Sequence, residues 1–183
     1  MTTLWTIGHS NRSIEAFLDL LHAFDIRGVA DVRRFPGSRR SPHFGSDALR
    51  DALAAHDIAY QWMPALGGRR AARPDSRNTG WRNVSFRGYA DYMETEPFAE
   101  GLADLVSMGA AMRTAMMCSE ALWWRCHRSL VADALEVMEV PVTHILGPTE
   151  TVRHPMTSPA RVQNGMLAYP AQSPDSPQPS LFE

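Results

Sequence analysis

Apolar positions recur along this chain in two periods, and their alternation outlines a fold before any single residue needs interpretation. Leu4-Trp5-Thr6-Ile7 reads as a strand that stops at Gly8-His9-Ser10-Asn11. Ser13 then offers its side-chain oxygen to the free amides of a helix start, and Ile14, Phe17, Leu18, Leu21 and Phe24 fall on one helical face behind it. Residues Gly28 to Val32 predict a second strand. A loop rich in Arg, Pro and Ser follows, then a helix capped at Ser46 with Leu49, Ala52 and Leu53 turned inward. Ile58 to Trp62 predict a third strand. Helical spacing returns at Phe86, Tyr89 and Met93, and Pro97 suits the first turn of a further helix carrying Phe98, Leu102, Leu105 and Val106. Thr114 to Cys118 form an apolar run, as expected of a strand buried on both faces. Leu130, Val131, Ala134, Leu135 and Met138 mark the helix after it. Val142 to Leu146 form a last strand, stopped by Gly147-Pro148, and Asn164-Gly165 suits the turn of a small hairpin.

Strands that alternate with helices connect by right-handed crossovers. The expected fold is therefore α/β, a mostly parallel sheet with helices on both faces in a Rossmann-like three-layer arrangement. The 183 residues, 44% of them apolar, suffice for one core, so residues 1–170 are expected to form a single domain. Residues 171–183 turn to Pro, Ser, Gln and Asp and are expected to be a flexible tail. No apolar run reaches the roughly 18 residues of a membrane span, and Met1 to Trp5 lack a basic region leading into an apolar signal core. A cytoplasmic protein without a membrane partner is expected. From Gly67 to Asn83 the chain is polar and arginine-bearing, too long for a plain connection, which marks a functional loop.

A parallel sheet points the carboxyl ends of its strands to one edge, so residues far apart in sequence meet there. The first strand delivers His9, Ser10 and Asn11, and the second delivers Asp31, Arg33 and Arg34. The late strand delivers Cys118, Ser119 and Glu120, with Cys126, His127 and Arg128 at the next helix start. A thiol at a strand end facing a helix amino terminus has its thiolate favoured, which makes Cys118 the candidate nucleophile. Glu120 and Asp31 are candidates for acid and base, and His9 joins them by position. Ser10, Asn11, Arg33, Ser38, Cys126, His127 and Arg128 are candidates for holding a substrate. Plainer readings stand beside these: Cys118 as a small buried hydrophobe, Asp31 or Glu120 as the partner of Arg33 or Arg128, and His9 as a turn residue. Cys118, Cys126 and His127, completed by His9 or His43, also form a possible ligand set. However, seven residues separate the cysteines, unlike the short pairs of structural zinc sites, so no metal is expected and any cofactor is left open. The spacing from Cys118 to Arg125 also misses the cysteine phosphate loop by one residue.

Charge changes the picture locally. The net charge is −2, yet all 18 cationic residues are arginine. Most lie between Arg33 and Arg87, opposed there only by Asp47, Asp51, Asp57 and Asp75. The planar guanidinium fork matches phosphate, so Arg34, Arg39, Arg40, Arg69, Arg70 and Arg73 are candidates for gripping nucleic acid, against the plainer reading of a solvated face.

Taken in order, Thr6-Ile7-Gly8-His9-Ser10-Asn11, Asp31-Val32-Arg33 with Pro36 and Ser38, Leu66-Gly67-Gly68, Met117-Cys118-Ser119-Glu120 and Cys126-His127-Arg128 resemble the successive signatures of the "domain of unknown function 488" family. The resemblance runs from Thr6 to about Ile145. It implies an α/β domain with a cysteine-containing pocket and no settled reaction. The bulky Leu122-Trp123-Trp124 departs from the more polar link expected there. The end of the chain, from Gln178 to Glu183, resembles the peptide with which bacterial DNA polymerases and repair proteins dock on the sliding clamp, with Pro179 in place of the first leucine. Gln178, Leu181 and Phe182 would be its anchors. These resemblances and the arginines lead to the expectation of a DNA-associated protein, an enzyme of repair or modified-nucleotide processing. The alternatives are a thiol or sulfur-transfer enzyme on a small molecule and a non-catalytic DNA-repair adaptor.

Overall fold

Successive side chains of a strand point to opposite faces, so a strand covered on both sides must be apolar throughout. Ala115 to Cys118 meet that condition, and Thr114 satisfies its hydroxyl on the Met108 and Met112 carbonyls; the strand Thr114–Cys118 lies near the centre of the sheet, buried at every position. A computed structural model describes residues 3–37 and 41–171. Its strands β1 (Leu4–Gly8), β2 (Gly28–Asp31), β3 (Ala59–Trp62), β4 (Thr114–Cys118) and β5 (Val142–Ile145) run parallel, and β6 (Thr151–Arg153) adds an antiparallel edge, in the order β3-β2-β4-β1-β5-β6. A separate hairpin pairs β7 (Arg161–Gln163) with β8 (Met166–Ala168).

The helices are α1 (Ile14–Ala23), α2 (Ser46–Ala54), α3 (Val84–Tyr92), α4 (Glu96–Ala111) and α5 (Arg128–Val137). Phe17 and Leu21 of α1 and Leu49 and Leu53 of α2 bury one sheet face with Ile7, Val29, Ala115 and Met117. Tyr89, Phe98, Leu105 and Leu130 of α3, α4 and α5 bury the other with Leu4, Ala30, Met116 and Cys118. The three layers expected from the sequence are present. The step from β1 to β2 passes over β4 with α1 on one face, and the step from β4 to β5 passes over β1 with α5 on the other. The crevice where connections part therefore opens at the carboxyl ends of β1 and β4, where parallel sheets bind ligands.

Local chemistry explains where the elements begin. Ser13 caps α1 by accepting from the Ala16 amide at 3.2 Å. Ser46, expected as a cap, is instead the first residue of α2, and Gly45 holds the capping position without a side-chain bond. Strand β6 has no pattern of its own; its three exposed residues are strand because β5 offers a free edge. Asn164 and Gly165 take the positive φ values, 52° and 74°, that a tight hairpin turn demands. Among the described residues, no helix is long and apolar enough to cross a membrane.

A chain of buried polar groups runs through the layer of α5. The Thr6 hydroxyl lies 2.7 Å from His144 Nδ1, His144 Nε2 lies 2.9 Å from His154 Nδ1, and His154 Nε2 lies 2.9 Å from Asp133 Oδ1. Asp133 also accepts from the Thr157 amide and hydroxyl and from the Tyr169 hydroxyl. Burial, then the neighbouring His154 and Arg128, hold His144 neutral and push its pKa down to about 2. The unfolded chain takes up a proton near pH 6.5 that the folded chain refuses, so stability is complete above that pH and is lost as pH falls below it. One such histidine costs up to about 1.4 kcal/mol per pH unit in that window. Urea unfolding between pH 7.5 and 5 is expected to show this loss, and His144→Gln to be less stable at pH 7.5 but with a shallower acid slope; an unchanged slope would show that His144 is not the group responsible.

Candidate functional site

Gly8 and Cys118 are paired neighbours at the ends of β1 and β4, and the chain leaves both strands together. The His9 amide donates to the Cys118 carbonyl and the Ser10 amide to the Ser119 carbonyl, each at 2.9 Å. A Cβ on Gly8 would come 2.0 Å from the Glu120 carbonyl oxygen, so only glycine lets this loop fold back over β1. Arg128, the first residue of α5, locks the arrangement from behind. Its guanidinium donates to the Glu120 carbonyl, to Thr6 Oγ1 at 3.4 Å and to Cys126 Sγ at 3.3 Å.

These constraints gather two sulfurs and an imidazole. Cys118 Sγ, Cys126 Sγ and a ring nitrogen of His127 all lie within 4.8 Å of one another. Both cysteines are free and buried. The two thiols divide their proton unequally. The neighbouring Cys126 and burial together push the Cys118 thiol well up. Burial would also raise Cys126, but the neighbouring Cys118 and the Arg128 guanidinium outweigh it and pull the thiol down to about 6. The charge that favours a thiolate is therefore directed to Cys126 rather than to Cys118. The reason is Arg128, which reaches Cys126 Sγ and makes no ion pair with an acid among the described residues.

The sulfurs form the floor of a cavity of about 580 Å³, within the usual range for small-molecule sites. His9, Arg33, Glu120 and His127 line its walls, and Arg34, Phe35, Arg69 and Arg125 line its mouth. The three mouth arginines are exposed and none pairs with an acid among the described residues. His9 accepts from Arg33 on Nε2 at 3.3 Å and donates from Nδ1 to the Ser10 carbonyl at 2.9 Å. Burial above all, with Arg33 adding, lowers its pKa to about 4 against the bond to Ser10, so the ring is neutral.

Several expected site residues take other roles. Asp31 is buried and saturated: it accepts from Arg33 Nε and NH2 at 2.8 and 2.6 Å, from the Arg33 amide at 3.1 Å and from the Tyr60 hydroxyl at 2.8 Å. It positions Arg33 and leaves no lone pair for proton transfer. Ser10 and Asn11 lie beside the cavity and do not line it. Arg70 sits 3.6 Å over the Tyr92 ring and donates to the Gly67 and Pro64 carbonyls. Arg73 pairs with Glu94 at 2.5 Å. Both arginines fasten the 67–83 loop to the protein, as does Asp91, which accepts from the Arg73 amide, Ser76 and Asn78. His43 donates to the Arg12 carbonyl and, like His9, stays out of the sulfur cluster. Ser38, Arg39, Arg40, Gln178, Leu181 and Phe182 lie outside the described residues.

Sequence reasoning missed Arg125, Phe35, Asn83, Ser85, Phe86 and Tyr89 as lining residues. Phe86 and Tyr89 occupy the helix face that their spacing predicts, and that face ends at the cavity. The apolar Leu122-Trp123-Trp124 link turns away from it: Trp123 stacks on His144 at 4.3 Å and none of the three lines the cavity. Gly8→Ala is expected to destabilise the fold by about 1–3 kcal/mol through overpacking at the loop crossing. Chemical denaturation checks this, and wild-type stability in the variant would show that the crossing is not tight.

No curated protein and no solved structure matches the chain. A family model, described as domain of unknown function DUF488, matches residues 13–135. The matched span takes in α1, the arginine-bearing loops, both cysteines and most of α5, and with them the cavity floor. The chain therefore belongs to the DUF488 family.

Proposed function

We propose that the protein is a DNA-associated enzyme that draws a phosphate-bearing nucleotide unit into this cavity, in repair or in the processing of modified nucleotides. The observation that carries the reading is a set of three arginines, Arg34, Arg69 and Arg125, without acidic partners among the described residues, above a floor of reactive side chains. Arg34 spends one donor on the Arg69 carbonyl at 2.5 Å, and guanidinium forks not neutralised by a carboxylate suit phosphate oxygens. Phe35, 65% exposed at the mouth with Arg34 beside its ring, offers a face for a base to stack on. Glu120 makes no ion pair among the described residues and lines the cavity, so it is the carboxylate placed to move a proton. The clamp-like tail with Gln178, Leu181 and Phe182 would bring such an enzyme to replicating DNA. The neighbouring sulfurs of Cys118 and Cys126 also suit a thiol or sulfur-transfer enzyme acting on a small anion, which would have no affinity for DNA.

Oligonucleotide binding across a salt series separates the two. Wild-type protein is expected to bind DNA with affinity that falls steeply with salt, by a log–log slope of about 0.7–0.9 per phosphate contacted. Replacing Arg34, Arg69 and Arg125 together with alanine is expected to reduce the slope by about 2–3, whereas replacing Arg73 alone should loosen the loop and leave the slope unchanged. Absence of binding to single- and double-stranded DNA at low salt overturns the DNA reading and leaves the small-anion one.

A further inference from the structure

The cysteines are too far apart in sequence to resemble a zinc motif, but the fold supplies the proximity that the spacing lacks. We propose that Cys118, Cys126 and His127 form a zinc(II) site with its fourth coordination position open to the cavity. The inference stands on donor geometry and does not depend on what substrate the cavity takes.

Cys126 Sγ and His127 Nδ1 are 3.7 Å apart, and all three donor atoms lie within 4.8 Å. Tetrahedral zinc, with bonds of about 2.3 Å to sulfur and 2.0–2.1 Å to nitrogen, sets neighbouring donors roughly 3.5–3.8 Å apart. Small side-chain rotations close the set. The histidine is already oriented. Its Nε2 lies 3.1 Å from the Val32 carbonyl, and since a carbonyl can only accept, that nitrogen carries the proton and Nδ1 turns a lone pair towards the sulfurs. A backbone carbonyl on the distal nitrogen is the usual outer partner of a metal-ligating histidine. Space is kept beside Nδ1 by Gly68, where a Cβ would stand 2.8 Å from it.

The donors are also held by separate, well-anchored elements. Cys118 ends β4, Cys126 closes the short 3₁₀ turn Trp123–Arg125, and His127 caps α5. Two thiolates and an imidazole select zinc over magnesium or calcium, which require oxygen donors. No fourth protein donor joins the cluster among the described residues, and His9 uses both ring nitrogens elsewhere. The cavity faces the remaining position, and three protein ligands with one open place is the pattern of catalytic zinc sites, whereas structural sites are closed.

The test is metal analysis of the full chain purified without chelator, followed by cobalt(II) titration of the chelator-stripped protein. Expected are close to one zinc per chain and, with cobalt, the thiolate-to-metal charge-transfer band with the strong visible bands of four-coordinate cobalt. Cys118→Ser and His127→Ala are expected to lose most of the zinc and to weaken or shift the cobalt bands. Gly68→Ala, which crowds Nδ1 without removing a ligand, should weaken zinc binding by about 10- to 100-fold. Melting curves of each variant identify any that fail to fold, and Gly68→Ala then decides. Zinc-free wild-type protein without a cobalt charge-transfer band overturns the site, as does zinc content unchanged in all folded variants. DNA binding is measured separately, so either proposal can fail alone.

Discussion

A buried arginine must find its compensation in the groups around it, and Arg128, which forms no ion pair among the described residues, sets that condition at the centre of this protein. Its side chain is 1% exposed and bonds a carbonyl, a hydroxyl and a sulfur. Leaving a charge of that kind unpaired in the interior would cost several kcal/mol. Each partner then becomes committed. The Glu120 carbonyl is held over β1, which requires Gly8, and the Cys126 sulfur, which accepts from Arg128, is drawn towards the ionised form. Thr6 accepts from Arg128, so its own proton points to His144, and the polarised chain continues through His154 to Asp133. The cation at one end and the carboxylate at the other are joined through hydrogen bonds that leave no buried atom of the relay unsatisfied.

The link between the cysteines touches both the relay and the cavity. Trp123, from the link between the cysteines, covers His144, while the same link presents Arg125 to the cavity mouth. One short 3₁₀ turn therefore seals the relay and contributes to the site. The arginine-rich loop shows a similar division of labour. Arg70 and Arg73 anchor it through Tyr92 and Glu94, and Arg69, held at a positive φ of 59°, stays at the mouth. Residues of one type, adjacent in sequence, thus separate into those that build the loop and one that the loop presents.

Periodicity and caps determined much of the architecture. The β-helix alternation, the two-faced burial of Thr114–Cys118, the Ser13 cap and the Asn164-Gly165 turn are local facts of composition and stereochemistry, and they hold in the structure. So does the convergence of the strand ends, because a parallel sheet leaves them nowhere else to meet. The sequence could not assign partners. Asp31 looked like an acid and is an anchor for Arg33, Arg128 looked able to serve either cysteine and reaches Cys126, and Arg70 and Arg73 looked free and are bound. β6 carried no signal, since an exposed three-residue strand exists only through the edge it joins. Residue types and their order decide which groups can reach one edge of the sheet. Which of them pair there, which hold charge and which stay open to a ligand depend on distances of a few ångströms between segments more than a hundred residues apart, and only the packed chain sets those distances.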